Sequence, residues 1–543
     1  MPFDFVQASN ENTMRPTTFL LAALMLLAVG CSEDFLEVQN LNQLSESSFY
    51  QTQQDFEDLL ITAYMPIGHI YQGSGLNRIG YAVDDRVVHE QFNLSALQYD
   101  ATNGDINGIY ASLYRGLMRC NLFLQKLTDE IPVDPVRRET MLGEVYFLRG
   151  MYLYYIGTFF EVSPLLTEPA EDPRVGYPNA TQEEIYAQAI SDLQAAIERL
   201  PDVWPDSELG RCTRGAALSF LGRTYLYQAR FAEAASTLKQ VIDGGIYRLN
   251  MPQGTDSVDY VWAYLANFTP IDLPYKGRTY SSEFNTESIY EVNFSLAYDE
   301  GARSSQYLIL RRSTGSHMTW YNGYSAITGG YGNLAMEDKK FPLEFERPAS
   351  HPAGLKVDPR YYAIFIDIGD TLDFRKDNPL SQQVFRVNDL NSSLGSRKGM
   401  RKYLYPFHTT YTWPNAPFQD PNNLRLMRYA DVLLMYAEAV YRSTDNPAEP
   451  TALDAFNQVR ARAGMPLLTS LSREAIIHER DIELACEHLR FWDIARWYKD
   501  GWMTPEQVQV FMPNYQPRHV CWPIPQGEIN RHYGVLKQNP KWL

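Results

Sequence analysis

The sequence predicts a mainly α-helical protein in which irregular tetratricopeptide-like helix pairs pack against a loop-rich, mixed α/β variable region. Apolar residues recur at helical spacing in blocks on either side of a central stretch, which predicts amphipathic helices towards both ends of the chain. One pair of these helices has the residue spacing of a tetratricopeptide repeat. The central stretch, residues 251–424, instead contains short β-like runs rich in Gly, Asn, Ser and Tyr.

The N-terminal helical region is predicted to span residues 46–250. Proline residues separate its blocks, and proline cannot continue a helix. A capping box at Thr181 and Glu184 predicts the start of a further helix, because each residue satisfies a backbone N–H of the other. The amphipathic helices before it are predicted over 46–66, 105–130 and 136–160.

The repeat-like pair is predicted over residues 213–230 and 232–243. Small residues at the crossing let two such helices approach, and large ones fill the groove between them. A single pair cannot bury its own faces, so we expect the blocks at 105–160 and 425–500 to stack on it and form three or four irregular repeats. The residues at repeat positions are Leu218, Leu221, Gly222, Tyr225, Ala234 and Leu238.

The variable region, residues 251–424, separates the N-terminal region from a C-terminal helical region at 425–543. Binding residues tend to collect on loops that a rigid scaffold carries. We therefore expect residues 251–424 to determine ligand specificity.

Composition and charge limit the classes of function. The chain has 543 residues, of which 45% are hydrophobic and 13% aromatic, so it can build a large core and is not disordered. Its formal net charge is -17, which repels a phosphate backbone and excludes a nucleic-acid partner.

The N-terminus reads as a bacterial lipoprotein leader. Residues 1–30 are predicted to be a signal peptide, because one Arg precedes an apolar run too short for a permanent span. Its true start is predicted to be Met14, because residues 1–13 contain Asp4 and Glu11 where a signal peptide has positive charge. Residues 27–31, LAVGC, resemble a lipobox in which Cys31 receives a diacylglycerol; the alternative is an ordinary signal peptide with an accidental cysteine. We expect residues 31–45 to be a lipidated tether on a membrane.

Ordered segments over nearly the whole chain resemble the SusD/RagB family of outer-membrane nutrient-binding lipoproteins. Two departures are Gly150, where the family usually has Ala, and His488, where it commonly has Gly. The segments that carry the resemblance are GEVYFLR at 143–149, CTRGAA at 212–217, LMRYADVLLMYAEA at 426–439, FNQVRARAG at 456–464, HERDIEL at 478–484, LRFWDIARW at 489–497 and WPIP at 522–525.

The resemblance implies a SusD-like fold and a cell-surface protein attached to the outer membrane by its lipid. Such a protein captures a glycan and delivers it to a SusC-like TonB-dependent transporter without cutting it. A peptide-binding or structural lid of the transporter, or a surface hydrolase, remains the alternative. No cofactor is expected; a structural calcium ion is compatible with the family, although no Asp-rich loop of the EF-hand type is present.

Apparent enzyme motifs favour structural roles. His478 and Glu479 begin like a zinc-protease helix, but position 482 is Ile, so the second histidine is missing. Asp431 and Glu438 could serve glycoside hydrolysis, yet both lie in segments shared with the family framework, where ion pairing is favoured. The chain also lacks a CxxC pair, and we expect Cys120, Cys212, Cys486 and Cys521 to pack in the interior.

The candidate ligand site is aromatic. A sugar ring presents a face of C–H groups and a fringe of hydroxyls, which match Trp or Tyr rings beside Asn, Asp or Arg side chains. For each ring the alternative is ordinary packing in a Tyr-rich core. The candidates are Trp320, Tyr321, Asn322, Tyr324 and Tyr331 in the variable region, and Tyr81, Asp84, Asp85 and Arg86 in a stretch predicted to be non-helical.

Overall fold

Several helices of this protein begin at capping residues in the computed structural model. Its described residues are 49–71, 75–89, 92–169, 175–269, 272–293, 334–367, 371–373, 384–386, 398–403 and 422–543. The chain divides into two units, Met1–Gln51 and Thr52–Leu543. Only 49–51 of the first unit are described, and all described helices and strands belong to the second.

Eight helices form the N-terminal part of the described chain. The Asn103 side chain accepts the N–H groups of Asp105 and Ile106, and the predicted capping box of Thr181 and Glu184 is confirmed. The helices are α1 (Gln53–Tyr71), α2 (Leu76–Ala82), α3 (Phe92–Ser95), α4 (Gly104–Lys126), α5 (Pro135–Phe160), α6 (Gln182–Ile197), α7 (Arg214–Tyr227) and α8 (Phe231–Asp243).

The first helix departs from its prediction at both ends. It was expected over 46–66 but spans Gln53–Tyr71, with Pro66 inside it. A proline removes only one backbone hydrogen bond of the helix and disturbs the turn before it. The helix continues past Pro66 because the side chains on either side of it, Tyr64 and Ile67, are buried against the rest of the protein.

The middle of the chain contains short elements. The described strands form five two-stranded antiparallel sheets, β1–β5, β2–β3, β4–β10, β6–β9 and β7–β8. The helices are α9 (Ser257–Leu265), α10 (Phe341–Glu344) and α11 (Arg360–Ile364). The strands are β1 (Val87–His89), β2 (Leu273–Tyr275), β3 (Arg278–Tyr280), β4 (Ser288–Val292), β5 (Leu334–Met336), β6 (Phe365–Asp367), β7 (Thr371–Asp373), β8 (Val384–Arg386), β9 (Lys398–Met400) and β10 (Leu424–Arg428).

Helices return at the C-terminal end. None of the helices in the described part of the chain is both long and apolar enough to cross a bilayer. The six are α12 (Tyr429–Thr444), α13 (Pro450–Arg462), α14 (Arg473–Glu483), α15 (Arg490–Lys499), α16 (Pro505–Phe511) and α17 (Gln526–Arg531).

The long helices stack in one continuous series. Helices α1, α4, α5, α6, α7, α8, α12 and α13 each pack against the next one named. The pair α7 and α8, which carries the repeat spacing, is therefore flanked by α6 on one side and α12 on the other. The mainly helical fold is confirmed, and the C-terminal block stacks on this pair as expected. On the N-terminal side the main neighbour is α6 (Gln182–Ile197), and the block expected there, 105–160, follows α6 in the series.

Two glycines show why the helices can approach so closely. A Cβ atom at Gly222 would lie 2.5 Å from Cγ of Leu238, so the contact between α7 and α8 requires glycine. At Gly150 a Cβ atom would lie 2.9 Å from Cγ of Leu193, in the contact between α5 and α6. The departure from the family's usual Ala at position 150 thus lies at a close helix contact in this chain.

Four cysteines lie in the interior, as predicted. Cys120, Cys212, Cys486 and Cys521 are all buried and none forms a disulfide. The sulfur of Cys212 lies 3.2 Å from the Tyr64 hydroxyl. Burial raises the pKa of each thiol, so all four remain protonated and unreactive.

Candidate ligand-binding site

The residues predicted around position 84 are enclosed by the protein. Tyr81 lies in the last turn of α2, which is helical where a loop was expected, and its hydroxyl donates to the carbonyl of Cys486 at 3.2 Å. Asp84, Asp85 and Arg86 form the turn between α2 and β1, and their side chains are also largely buried. In this arrangement the four side chains contact protein groups; whether they also touch a ligand stays a prediction.

Arg86 connects this turn to two distant helices. Its Nη1 and Nη2 donate to the two oxygens of Glu344, on α10, at 2.8 and 2.7 Å. Its Nε donates to Asp481, on α14, at 3.0 Å, and Nη2 contacts the same carboxylate. A bidentate guanidinium bond of this kind fixes geometry as well as adding energy, so the turn before β1 has one defined position.

Burial also changes the protonation of the neighbouring acid. The carboxylate of Asp84 accepts the N–H of Arg86 at 2.9 Å. Burial and the adjacent carboxylate of Asp85 raise the pKa of Asp84 to about 7. Near neutral pH the turn therefore carries less negative charge than its sequence suggests.

The Arg86 turn holds one flank of the aromatic segment. Strand β1 follows it directly and pairs with β5, in the register Val87 with Met336 and His89 with Leu334. The other flank ends in β4, which pairs with β10 so that Val292 lies opposite Leu424. The residues between these two strands, 294–333, include Trp320, Tyr321, Asn322, Tyr324 and Tyr331, and they lie outside the described residues, as does Cys31.

A cluster of buried charges supports the base of β10. Arg428, the last residue of β10, donates through Nη1 to Glu287 at 2.5 Å and to Glu483 at 3.2 Å. Glu483 is also bound by Arg360 at 3.1 Å and by Arg462. Burial alone would raise the pKa of Glu483, but Arg462, Arg428 and Arg360 outweigh it and lower the pKa to about 2.

The acidic residues that resembled catalytic groups are neutralised by arginine. Asp431 is bound by Arg223 and, at 2.9 Å, by Arg480, and Glu438 accepts both η nitrogens of Arg496 at 2.6 and 2.7 Å. All of these side chains are buried. The prediction of structural ion pairing is confirmed, and the pairs lie in the interior of the protein.

Metal binding finds no support in the described part of the chain. Among those residues no group of three His, Cys, Asp or Glu side chains is placed to hold an ion. The zinc-protease interpretation fails in the structure as it did in the sequence, because Glu479 is bound by Arg360 at 2.6 Å and by Arg460 at 2.8 Å.

His488 explains the second departure from the family pattern. Its φ is 60°, in the left-handed region where glycine is the default residue and His is tolerated better than most. Its ring packs against Tyr81, with centroids 4.1 Å apart, and beside Tyr71 at 5.8 Å. Histidine thus keeps the backbone conformation of a glycine and fills the space behind the Tyr81 helix.

Titration of His488 should make stability depend on pH. Burial, with a contribution from Lys402, lowers the pKa of His488 to about 3, so below pH 6.5 the unfolded chain binds a proton that the folded chain refuses. Stability should therefore fall as the pH falls from about 6.5 towards 3, by about 1.4 kcal/mol per pH unit for this one group. Urea unfolding of His488→Asn, which tolerates positive φ, should show a shallower pH slope between pH 6 and pH 4. An identical slope in variant and wild type would refute this assignment.

Two open cavities lie near the elements described above. One, of about 260 Å³, is bordered by Glu344, Asp481 and Arg490 and abuts the Arg86 turn. The other, of about 290 Å³, lies beside β4. Ligand sites for small molecules usually start near 300 Å³, so each could hold a small group or part of a longer chain.

Family models match both halves of the chain. The model described as "SusD family" matches residues 286–542, and the model described as "Starch-binding associating with outer membrane" matches residues 34–226. These two matches include the Arg86 turn, the buried charge cluster and the stacked helices other than α8, which lies between them.

Full-length relatives and solved structures agree with this match. A SusD-like protein of Formosa agariphila is 21% identical over 97% of this chain and 99% of its own length. A SusD-like protein of Bacteroides fragilis has a TM-score of 0.70 at 21% identity, covering 91% of this chain and 98% of its own.

Two further structures are similar to a comparable degree. A laminarin-binding SusD-like protein has a TM-score of 0.68 at 23% identity, covering 90% of this chain and all of its own. The surface glycan-binding protein A of Bacteroides uniformis also has a TM-score of 0.68, at 20% identity and the same coverage. The stacked helices, the ordered motifs and these matches together place the chain in the SusD/RagB family, a non-catalytic family.

Proposed function

We propose that this protein is a lipid-anchored, cell-surface glycan-binding protein of the outer membrane, which captures an oligosaccharide and passes it to a SusC-like TonB-dependent transporter. The description of one matching family model names both starch binding and the outer membrane. Two similar structures are named for laminarin binding and for surface glycan binding. These names support glycans as the ligand class without naming the glycan that this chain binds.

The observation that carries the proposal is the attachment of both flanks of segment 294–333 to the rigid framework. The β4–β10 ladder holds the flank before it, and the β1–β5 ladder holds the flank after it. Buried ion pairs support both ladders: Arg428 of the Glu483 cluster ends β10, and Arg86 directly precedes β1. A segment with many aromatic residues and fixed ends suits a site that needs stacking rings on a stable base.

In this proposal Trp320, Tyr321 and Tyr324 stack on sugar rings, and Asn322 reads hydroxyl groups. The Arg86 turn, with Tyr81, Asp84 and Asp85, supports this segment by positioning β1 and thus β5. Ring stacking is tolerant of the sugar's identity, and hydroxyl hydrogen bonds supply the selectivity.

Capture without cleavage is the first test. Protein lacking residues 1–31 should bind a soluble glycan on an array, and chromatography after prolonged incubation should recover that glycan at its original length. The reason is that the acidic residues which could have served hydrolysis, Asp431 and Glu438, are held by arginine in the interior. Shorter products that accumulate with time would contradict the proposal.

The lipid anchor has its own test. Two acyl chains on Cys31, at about 0.8 kcal/mol for each buried methylene, would hold the mature protein on the membrane. Mass spectrometry of the native protein should find diacylglycerol on the Cys31 sulfur, and Cys31→Ser should release the protein from the membrane fraction. An unmodified sulfur in the native protein would rule out the anchor.

A further inference from the structure

The cavity of about 290 Å³ beside β4 combines exposed apolar side chains with a polar fringe. Three chain segments meet there: the connection between α6 and α7, the residues that follow α8, and the turn that leads into β4. Its exposed apolar side chains are Val203, Leu209, Ile246 and Phe284. Single exposed apolar side chains are normal on a folded surface, but a cluster of large ones at one cavity indicates a binding site.

Phe284 is the most unusual of these residues. It is 37% exposed, and its φ of 52° is strained for a bulky aromatic side chain. The turn that holds it is fixed, because its own N–H donates to Glu291 at 3.0 Å and Asn285 accepts the N–H groups of Glu287 and Ser288. Strained residues persist only where the surrounding structure over-determines them, and they cluster at sites that clamp a ligand.

The walls beside Phe284 are also rigid. The indole N–H of Trp204 donates to the carbonyl of Cys212 at 2.7 Å, and the hydroxyl of Tyr247 lies 3.0 Å from that of Thr213. The fringe offers the exposed carboxylate of Asp202, whose ion pair with Arg214 is long at 3.6 Å, and the exposed Thr286. Aromatic rings with a few hydroxyl, carboxylate and amide groups beside them are the composition that a sugar needs.

We infer that this cavity is a second carbohydrate subsite, in which Phe284 is the stacking platform for one sugar unit of a chain. The lining residues of this cavity lie outside segment 294–333. Two of them, Trp204 and Ile246, also precede the variable region, residues 251–424, that is predicted to bind the ligand. The mixed lining disfavours a purely apolar occupant, which would leave the polar fringe without partners. The ligand class rests on the proposed function; the location of the subsite does not.

The test separates ligand binding from stability. Affinity gel electrophoresis uses the protein lacking residues 1–31 and native gels that contain laminarin, soluble starch or xylan. A polysaccharide that binds the protein retards its migration. Phe284→Gly relieves the positive φ and so should melt no lower than wild type, yet its dissociation constant for the retarding polysaccharide should rise at least fivefold. Phe284→Tyr keeps the ring and should stay within twofold of wild type.

A second variant protects the test against a failure of folding. Ile246→Ser removes an exposed apolar side chain that another segment contributes to the cavity, and it should also weaken retardation. If Phe284→Gly and Ile246→Ser are both retarded as strongly as the wild type, this subsite is overturned and the proposed function still stands. Binding of the wild type to none of these polysaccharides and to no glycan on the array would overturn both.

Discussion

Replacing Glu483 with glutamine is expected to lower the free energy of unfolding by about 3–5 kcal/mol, the usual cost of removing one partner of a buried ion pair. The Glu483 carboxylate is fully buried and is shared by Arg360, Arg428 and Arg462. Glutamine preserves the volume of the side chain but removes its negative charge. Each of the three buried guanidinium groups would then lose one carboxylate partner and retain only its remaining ones. Urea unfolding followed by circular dichroism measures the loss.

A matched control uses an ion pair at the surface. Lys239 and Asp243 form an i,i+4 pair at 2.6 Å on α8, and both side chains are about half exposed. Water screens such a pair, so Asp243→Asn should leave the unfolding midpoint essentially unchanged. Equal destabilisation by Glu483→Gln and Asp243→Asn would contradict the role of the buried cluster.

The helical framework could be predicted because its signals are local. The capping residue Thr181, for example, lies three positions before the N–H group that it satisfies. The repeat spacing around Gly222 likewise predicts the contact between α7 and α8, which the structure confirms through Leu238. The shift of α1 past Pro66 was missed, because side chains distant in sequence hold that helix.

The sequence predicts that the charged residues of the framework form ion pairs, but not which residues pair with each other. The sequence indicates that the charged residues of α14 pair rather than catalyse, but their partners are distant; Arg360, for instance, binds Glu479 across 119 positions. Arg428 lies three positions before Asp431, but it ends strand β10 and binds Glu287, 141 positions away. Helical spacing does not apply to a strand residue, and no local pattern identifies its partner.

The cavity beside β4 could not have been predicted at all. Trp204, Ile246 and Phe284 are separated by about forty residues each and meet only in the fold. The positive φ of Phe284 also leaves no sequence signal, because glycine and asparagine, not phenylalanine, are the residues that indicate such a conformation.

The second large effect concerns segment 294–333. Trp320→Ala combined with Tyr321→Ala should weaken glycan binding at least about 30-fold, or about 2 kcal/mol, because central aromatic residues contribute most to binding at such sites. The fold should be unaffected if the framework strands hold both flanks as described. A control that removes two exposed aromatic side chains elsewhere, Tyr362→Ala with Tyr533→Ala, should bind as the wild type does.

Titration calorimetry of these three proteins with a glycan identified on the array tests the central claim most directly. The account predicts tight binding by the wild type and by the Tyr362 and Tyr533 control, and a loss of at least about 30-fold in the Trp320 and Tyr321 variant. Equal affinity in all three proteins would contradict the claim that the residues carried between β4 and β5 capture the glycan.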